Sequence, residues 1–308
     1  MACGLALALV AAPRAAAQGT TPDSTRAPSQ ELPQDSTQVP APDASGAAAK
    51  ARAHFFPLMK ELARDRPQLP PPYGVGLLAN WIDLDSKFTS GTVGLDNPNV
   101  PTEAATNSSM DVTLSTIGPK ADLWVLPILN LFVVIGQTDS DNRLVMRDVP
   151  VGFIPSTAGN PAGQVVRGDA TVDFTLKGPY YTLGGVLSAG YKNFLSTVDF
   201  SASQTDFGKN GAVQGDQSWT YSVYPRFGYI VLLSQVWVGA RYLDVSSHYT
   251  GGALLTGGQV FHFDVHQKTA SWNAAAGMRT VLDDHWDAQL ELGFGQRHLM
   301  TASVGYRW

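Results

Sequence analysis

Three side chains suited to metal binding or acid–base chemistry alternate within one short segment. His262, Asp264 and His266 occur in the sequence VFHFDVH, at every second position. Alternate residues of a β-strand lie on one face, so these side chains can converge on one metal ion or form a base with its orienting carboxylate. An ordinary polar strand face has the same composition. The three residues are therefore candidates for a catalytic or metal site, and we expect no bound metal or other cofactor.

A second set of charged residues occupies the polar positions of segments in which polar and apolar residues alternate. Buried opposite charges must pair to offset their loss of hydration. We expect such pairs to fill the interior of the fold. Alternatively, because arginines outnumber the acids, the set lines a narrow pore for an anionic solute. Its members are Lys120, Asp122, Asp199, Arg226, Arg241, Arg279, Glu291 and Arg307.

Several functional classes are excluded by the sequence. Cys3 is the single cysteine, which excludes disulfide scaffolds, zinc ribbons and thiol catalysis. Residues 74–79 (GVGLLA) match a dinucleotide-binding fingerprint, but they follow a run of prolines instead of a strand. The formal net charge is −5 and only 15% of residues are charged, so we expect no nucleic-acid partner.

From residue 73 onward the hydrophobic pattern has a period of two residues, which is typical of β-strands. At the end of the chain, for example, apolar side chains alternate with Thr301, Ser303, Gly305 and Arg307. The alternation predicts ten strands, at about 73–85, 109–126, 129–138, 168–191, 194–205, 217–231, 235–248, 262–282, 286–296 and 298–308.

The connections between these strands alternate in length. Turns are predicted near residues 127–128, 192–193, 232–234 and 283–285, and long polar connections at 86–109, 139–167, 205–216 and 250–261. Short turns on one side and long loops on the other are typical of transmembrane barrels, whose strands need about 9–11 residues to cross a bilayer. The sequence therefore predicts an all-β fold, a closed antiparallel transmembrane β-barrel of about ten strands with a short N-terminal helix. Twelve strands are the alternative, if 86–95 or 143–153 forms a further strand.

The last strand resembles the C-terminal signal of Gram-negative outer-membrane β-barrel proteins, which end in an aromatic residue preceded by apolar residues at alternate positions. Met300, Ala302, Val304, Tyr306 and Trp308 match that assembly signal. The resemblance covers residues 73–308 in pattern and 298–308 in motif, and it specifies a class without a particular family. It implies a place in the outer membrane among lipid and lipopolysaccharide, and recognition by periplasmic chaperones and the barrel-assembly machinery.

The N-terminal region differs in composition from the barrel. An apolar core followed by Ala15, Ala16 and Ala17 predicts a signal peptide over residues 1–17 that is cleaved during export. Residues 18–49, rich in Pro, Ser, Thr and Ala, predict a disordered linker. Residues 50–72 predict a short amphipathic helix and a proline run. The helix either docks beneath the barrel or acts as a plug or partner-binding element.

Two functional interpretations follow for a barrel of this kind. The first is a narrow porin or transporter-like channel, or a structural or surface protein without chemistry. The second is a barrel enzyme that acts on lipid, lipopolysaccharide or peptide at the extracellular rim. That enzyme requires the row containing His262 to meet a serine or carboxylate from another loop. A soluble periplasmic or secreted β-protein is a third class with the same alternation.

Overall fold

The computed structural model describes residues 71–308, apart from 106–107, 158–162, 256–257 and 284. The predicted signal peptide (1–17), the linker (18–49) and the helical part of 50–72 lie outside the described residues. Within the described part of the chain, no helix is long and apolar enough to cross a membrane.

Ten long strands and three short ones make up the secondary structure of the described residues. They are β1 (Tyr73–Leu95), β2 (Glu103–Ala104), β3 (Ser108–Leu126), β4 (Leu129–Ile154), β5 (Gln164–Tyr191), β6 (Phe194–Asp206), β7 (Lys209–Asn210), β8 (Val213–Gly215), β9 (Gln217–Val231), β10 (Ser234–Leu254), β11 (Val260–Val281), β12 (Trp286–Gly295) and β13 (Arg297–Arg307).

The ten long strands form one closed antiparallel ring. Their order is β1-β3-β4-β5-β6-β9-β10-β11-β12-β13, and β13 pairs with β1 from Gly74↔Arg307 to Leu84↔Arg297. The seam between the chain ends continues one residue further, where the Trp308 amide donates to the Tyr73 carbonyl at 3.2 Å. The predicted all-β barrel of ten strands is confirmed.

The twelve-strand alternative is wrong, and so are three of the four predicted long loops. Residues 86–95 continue β1, and residues 143–153 continue β4. The connections after β1 and β4 are correspondingly shorter than the predicted 86–109 and 139–167. The connection between β10 and β11 covers 255–259 instead of the predicted 250–261. The polar residues in these segments suggest loops, but they lie on strands that extend past the part of the barrel with an apolar exterior.

An apolar belt surrounds the half of the barrel that carries the short turns, here called the proximal half. Successive strand residues point to opposite sides of the wall, so the exposed apolar rows face outward and the polar rows face the lumen. Leu183, for example, is 69% exposed. The belt includes Val75, Leu77, Ile117, Leu131, Val133, Ile135, Leu183, Val198, Phe200, Val223, Phe227, Val238, Met278, Leu290, Leu292, Met300 and Val304.

Aromatic side chains border the belt on both edges. Trp81, Trp219 and Trp272 lie on its far edge, and Trp286 and Tyr306 lie near the turns. Two aromatic girdles around an apolar band are the arrangement expected where a wall crosses both interfaces of a membrane.

Beyond the belt, in the distal half, the two faces of the wall exchange character. On β1, Asp83 and Asp85 face outward while Leu84 is buried inside. On β11, Phe263 faces inward between outward His262 and Asp264. The distal half comprises residues 82–95 of β1, 108–115 of β3, 138–154 of β4, 164–178 of β5, 243–254 of β10 and 260–270 of β11, with β2, β7 and β8.

Candidate functional site

The lumen of the proximal half contains paired charges. Arg226 forms an ion pair with Asp199 across β6 and β9 and also donates to the Thr197 hydroxyl at 3.1 Å. Arg241 Nη2 lies 2.6 Å from Glu291 Oε1, and the Glu291 side chain is 0% exposed. Each pair joins side chains of two strands that both point into the lumen. The attraction between the opposite charges offsets the hydration that the two side chains lose on burial.

A branched ion-pair cluster occupies the lumen near the seam of the barrel. Arg307 Nη2 lies 2.8 Å from Asp122 Oδ1, and its Nε lies 3.2 Å from Asp287 Oδ2. Arg279 Nη2 contacts the same Asp287 oxygen at 2.8 Å, and the Asn130 amide donates to Asp122 at 2.8 Å. The cluster links β3, β4, β11, β12 and β13, so it ties the end of the chain to the rest of the ring.

Two aromatic rings fill the lumen between the arginines. Tyr224 is completely buried, and the guanidinium carbons of Arg241 and Arg226 lie 4.5 and 4.9 Å from its ring centroid. The Trp237 indole donates to the Tyr224 hydroxyl at 3.2 Å. A Cβ at Gly277 would lie 2.5 Å from the Trp237 ring, so glycine provides the space that this indole occupies.

Of the predicted lumen charges, all but Lys120 take part in these ion pairs. Lys120 Nζ instead lies 5.0 Å from the Phe132 ring centroid, in a cation–π contact. Two lumen residues were missing from the predicted set. Asp287 joins Arg279 and Arg307, and Arg297, which is 2% exposed, donates to the Thr269 carbonyl at 2.9 Å. Asp287 stands on the inward row of its predicted strand, so face assignment alone could have found it. Arg297 falls between the predicted strands 286–296 and 298–308, so that assignment does not include it.

The interior of the distal half is filled by an apolar core. Phe174 on β5 lies 6.2 Å from Phe263 on β11 and 5.9 Å from Tyr249 on β10, measured between ring centroids. β5 and β11 are not neighbours in the ring, so the first of these contacts crosses the lumen. The buried members of the core are Leu84, Val93, Leu95, Val100, Ala105, Met110, Val112, Leu144, Met146, Val149, Ala170, Val172, Leu176, Phe207, Val213, Tyr249, Phe261, Phe263 and Val265.

A polar cluster, the outer-wall cluster, lies on the outside of the distal half and consists of Asp216, His248, Asp264 and His266. His248 Nδ1 lies 2.6 Å from Asp216 Oδ2, and His248 Nε2 lies 2.9 Å from Asp264 Oδ1. His266 Nε2 lies 3.9 Å from the same Asp264 oxygen. The two imidazole rings stack with centroids 4.0 Å apart.

Strand register brings this cluster together. His248 on β10 pairs directly with His266 on β11, and Asp264 lies diagonally next to them on the same outward face. Asp216 precedes β9, and its amide donates to the His248 carbonyl at 3.0 Å. On its other side, this part of β11 pairs with β1 from Phe88↔Gln267 to Leu95↔Phe261, with a register shift between Phe88 and Ser90.

The two carboxylates change the acid–base behaviour of the histidine between them. Partial desolvation by itself lowers the pKa of His248, but the hydrogen bonds to Asp264 and Asp216 outweigh it, and the pKa lies above its usual value. The cluster thus favours a positive charge between its carboxylates. A proton on His248 supplies that charge.

The predicted trio of His262, Asp264 and His266 is only partly brought together. Asp264 and His266 belong to the outer-wall cluster, whereas His262 pairs with Gly252 and Gly94 further along the strand. His248 and Asp216 were missed. His248 stands on the outward row of β10 and could have been included from alternation, but its pairing with His266 depends on the register between strands.

Comparison with known proteins identifies no family for this chain. No protein-family model matches the chain, and no curated protein matches its sequence. Among solved structures, outer membrane protein OprG from Pseudomonas aeruginosa is 10% identical with a TM-score of 0.43, covering 78% of this chain and 98% of that one. The transport unit of the autotransporter AIDA-I from Escherichia coli is 10% identical with a TM-score of 0.38, covering 86% and 98%.

A third similar structure is the toluene transporter TbuX from Ralstonia pickettii, at 9% identity and a TM-score of 0.33, covering 77% of this chain and 89% of that one. Identities this low say nothing about what this chain binds or transports. The chain's own closed ring, apolar belt and charged lumen define the class. It is a β-barrel that resembles those of Gram-negative outer membranes.

Proposed function

We propose that this protein is an outer-membrane barrel whose lumen is closed, so that it acts as a structural or surface protein and not as an open porin. The observation that carries the proposal is the apolar core of the distal half. Phe261, Met110 and Leu144 in that core are completely buried, and aromatic rings meet across the lumen. Moving an ion from water into such a layer costs tens of kcal/mol by ion solvation alone.

The proximal half adds a second obstruction below the core. A ten-stranded barrel encloses little more room than the eight strands that side chains fill completely. Here Tyr224, Trp237 and the paired arginines occupy that room. The two layers differ in chemistry, because the distal one is mainly apolar and the proximal one is charged.

Location and orientation are part of the same proposal. An even number of strands puts both ends of the ring on one side, together with the short turns, and in outer-membrane barrels this side is periplasmic. The distal half then projects from the cell surface. Its outward polar rows suit water, as a folded extracellular extension requires. Export through a cleaved signal peptide and assembly by the barrel-assembly machinery complete this proposal.

A second candidate function is a narrow path for an anionic solute. The observation that favours it is the excess of cations in the lumen, because Lys120 in the proximal half and Arg297 at the border with the distal half have no carboxylate within ion-pair distance among the described residues. The enzyme interpretation has less support. Both ring nitrogens of His248 face carboxylates, so neither is directed at a hydroxyl nucleophile.

Planar-bilayer recordings of the purified, refolded protein test the proposal. We expect no steady single-channel current, while unboiled protein migrates differently from boiled protein in SDS, which verifies that the barrel is folded. Stable currents with a preference for anions would contradict the closed barrel and support the second candidate, a narrow path for an anionic solute. Large unselective currents would contradict both.

A further inference from the structure

We propose that His248, Asp264 and His266 form a binding site for a transition-metal dication of the Zn²⁺ type, with Asp216 as the residue that positions His248. The site lies on the outer wall of the distal half, on two paired strands and the link before β9. One atom from each of the three proposed ligands lies within 4.8 Å of the others. This inference is independent of whether the lumen conducts.

The spacing of the ligand atoms is close to that of a tetrahedral zinc site. Bonds of about 2.0–2.1 Å in tetrahedral geometry place neighbouring ligand atoms about 3.3 Å apart. The distances from Asp264 Oδ1 to His248 Nε2 and His266 Nε2 are 2.9 and 3.9 Å, one below and one above that value. The two imidazoles stack with an interplanar angle of only 6°, so their Nε2 lone pairs do not yet converge on one point. Metal binding therefore requires the rings to leave this stacked arrangement and to turn their Nε2 edges toward one ion.

Asp216 supplies the support that metal-binding histidines usually have. Its carboxylate holds His248 Nδ1 at 2.6 Å, so Nδ1 carries the hydrogen and Nε2 is directed at Asp264. A carboxylate–histidine–metal arrangement fixes the tautomer and the ring orientation. A metal bound there would displace the proton between His248 Nε2 and Asp264, and that proton would be released to water.

The donor set selects the class of metal. Two imidazoles and one carboxylate suit Zn²⁺, whereas Ca²⁺ and Mg²⁺ prefer six or more oxygen ligands or several bound waters. Three protein ligands leave a fourth position for water or for an external ligand. The two carboxylates, Asp216 and Asp264, neutralise the charge of a dication.

Isothermal titration of the refolded full barrel with ZnCl₂, after treatment with a chelator, tests the site. We expect one equivalent of Zn²⁺ to bind and to raise the unfolding temperature of the protein. His266→Ala and Asp264→Asn should abolish this binding, and Asp216→Asn should weaken it about 10–100-fold. Co²⁺ in place of Zn²⁺ should give the visible absorption of a tetrahedral centre.

His262→Ala is the matched control, because His262 is an outward histidine on the same strand but outside the cluster. It should leave Zn²⁺ affinity unchanged. Equal losses for His262→Ala and His266→Ala, an absence of Zn²⁺ binding to the folded wild type, or equal affinity for Ca²⁺ would overturn the proposal. Heat-modifiable migration of each variant in SDS separates loss of the site from loss of the fold.

Discussion

Glu291 carries the most enclosed negative charge in the proximal lumen. Its carboxylate is 0% exposed and contacts Arg241, whose guanidinium lies over the Tyr224 ring. A buried ion pair adds little net stability, since desolvation of both partners offsets their attraction, but removing one partner leaves an uncompensated charge. Replacing Glu291 is therefore costly mainly because Arg241 is left buried without an opposite charge, and less because the pair itself stabilises the fold.

The first prediction compares single and double replacement of this pair. Glu291→Ala should lower the free energy of unfolding by about 3–5 kcal/mol, because Arg241 is left buried without its partner. Combining Glu291→Leu with Arg241→Met should recover most of that loss. Urea titrations in detergent or lipid vesicles measure both. Equal destabilisation by the single and double variants would mean that packing, not charge, sets the cost.

At the residue scale, the sequence assigns side chains to the inner or outer face of the wall but does not show which of them are in contact. Arg226, Arg241 and Glu291 were identified from their polar rows, and the structure places all three in ion pairs. His248 was missed because its position opposite His266 depends on interstrand register. Alternation assigns a side chain to a face of one strand, whereas register decides which residues of two strands meet.

Strand β12 illustrates how one strand of a membrane barrel presents apolar side chains to the lipid outside and polar side chains to the lumen. Leu290 points outward into the belt between Met278 on β11 and Ala302 on β13. Gln289, one position earlier, points into the lumen with Asp287. A shift of one residue would therefore expose polar groups to lipid and apolar groups to the charged lumen.

The second prediction uses these adjacent positions as a matched pair. Leu290→Arg should destabilise the folded barrel by about 2–4 kcal/mol, since a guanidinium then lies near the centre of the apolar belt. Gln289→Arg should have a much smaller effect, because the lumen already accommodates arginines. Folding titrations into lipid vesicles compare the two variants. Similar penalties for both would contradict the assignment of faces.

At the element scale, the positions of the strands could be predicted but not all of their lengths. The bounds of β6, β9, β12 and β13 differ from the prediction by a residue or so at each end. β1 and β4 run much further, because their distal parts combine outward charge with inward apolar residues. The alternation continues in these distal parts, but their exterior is no longer apolar. A prediction that expects each strand to end where it leaves the membrane therefore makes β1 and β4 too short.

As a whole, the molecule combines two kinds of β-barrel in one continuous wall. The proximal half is apolar outside and charged inside, and the distal half is polar outside and apolar inside. Six long strands (β1, β3, β4, β5, β10 and β11) continue through both halves, whereas β6, β9, β12 and β13 end near the boundary. In β1 and β11 the hydrophobic residues switch rows just beyond the aromatic edge at Trp81 and Trp272. Each half buries the side chains that its own surroundings disfavour.

The last prediction tests whether the two layers close the lumen independently. Arg226→Ala with Arg241→Ala should thin the charged layer without producing a steady current, since the distal core still excludes ions. Phe174→Ala with Phe263→Ala should likewise stay silent, because the charged layer remains. The combined variant should conduct in planar bilayers if its migration in SDS verifies folding. A steady current from the arginine variant alone would mean that the distal core is not a seal. Removing two aromatic rings from the core leaves cavities into which the surrounding side chains relax only partly. A combined variant that is folded but silent would therefore mean that other side chains close the barrel.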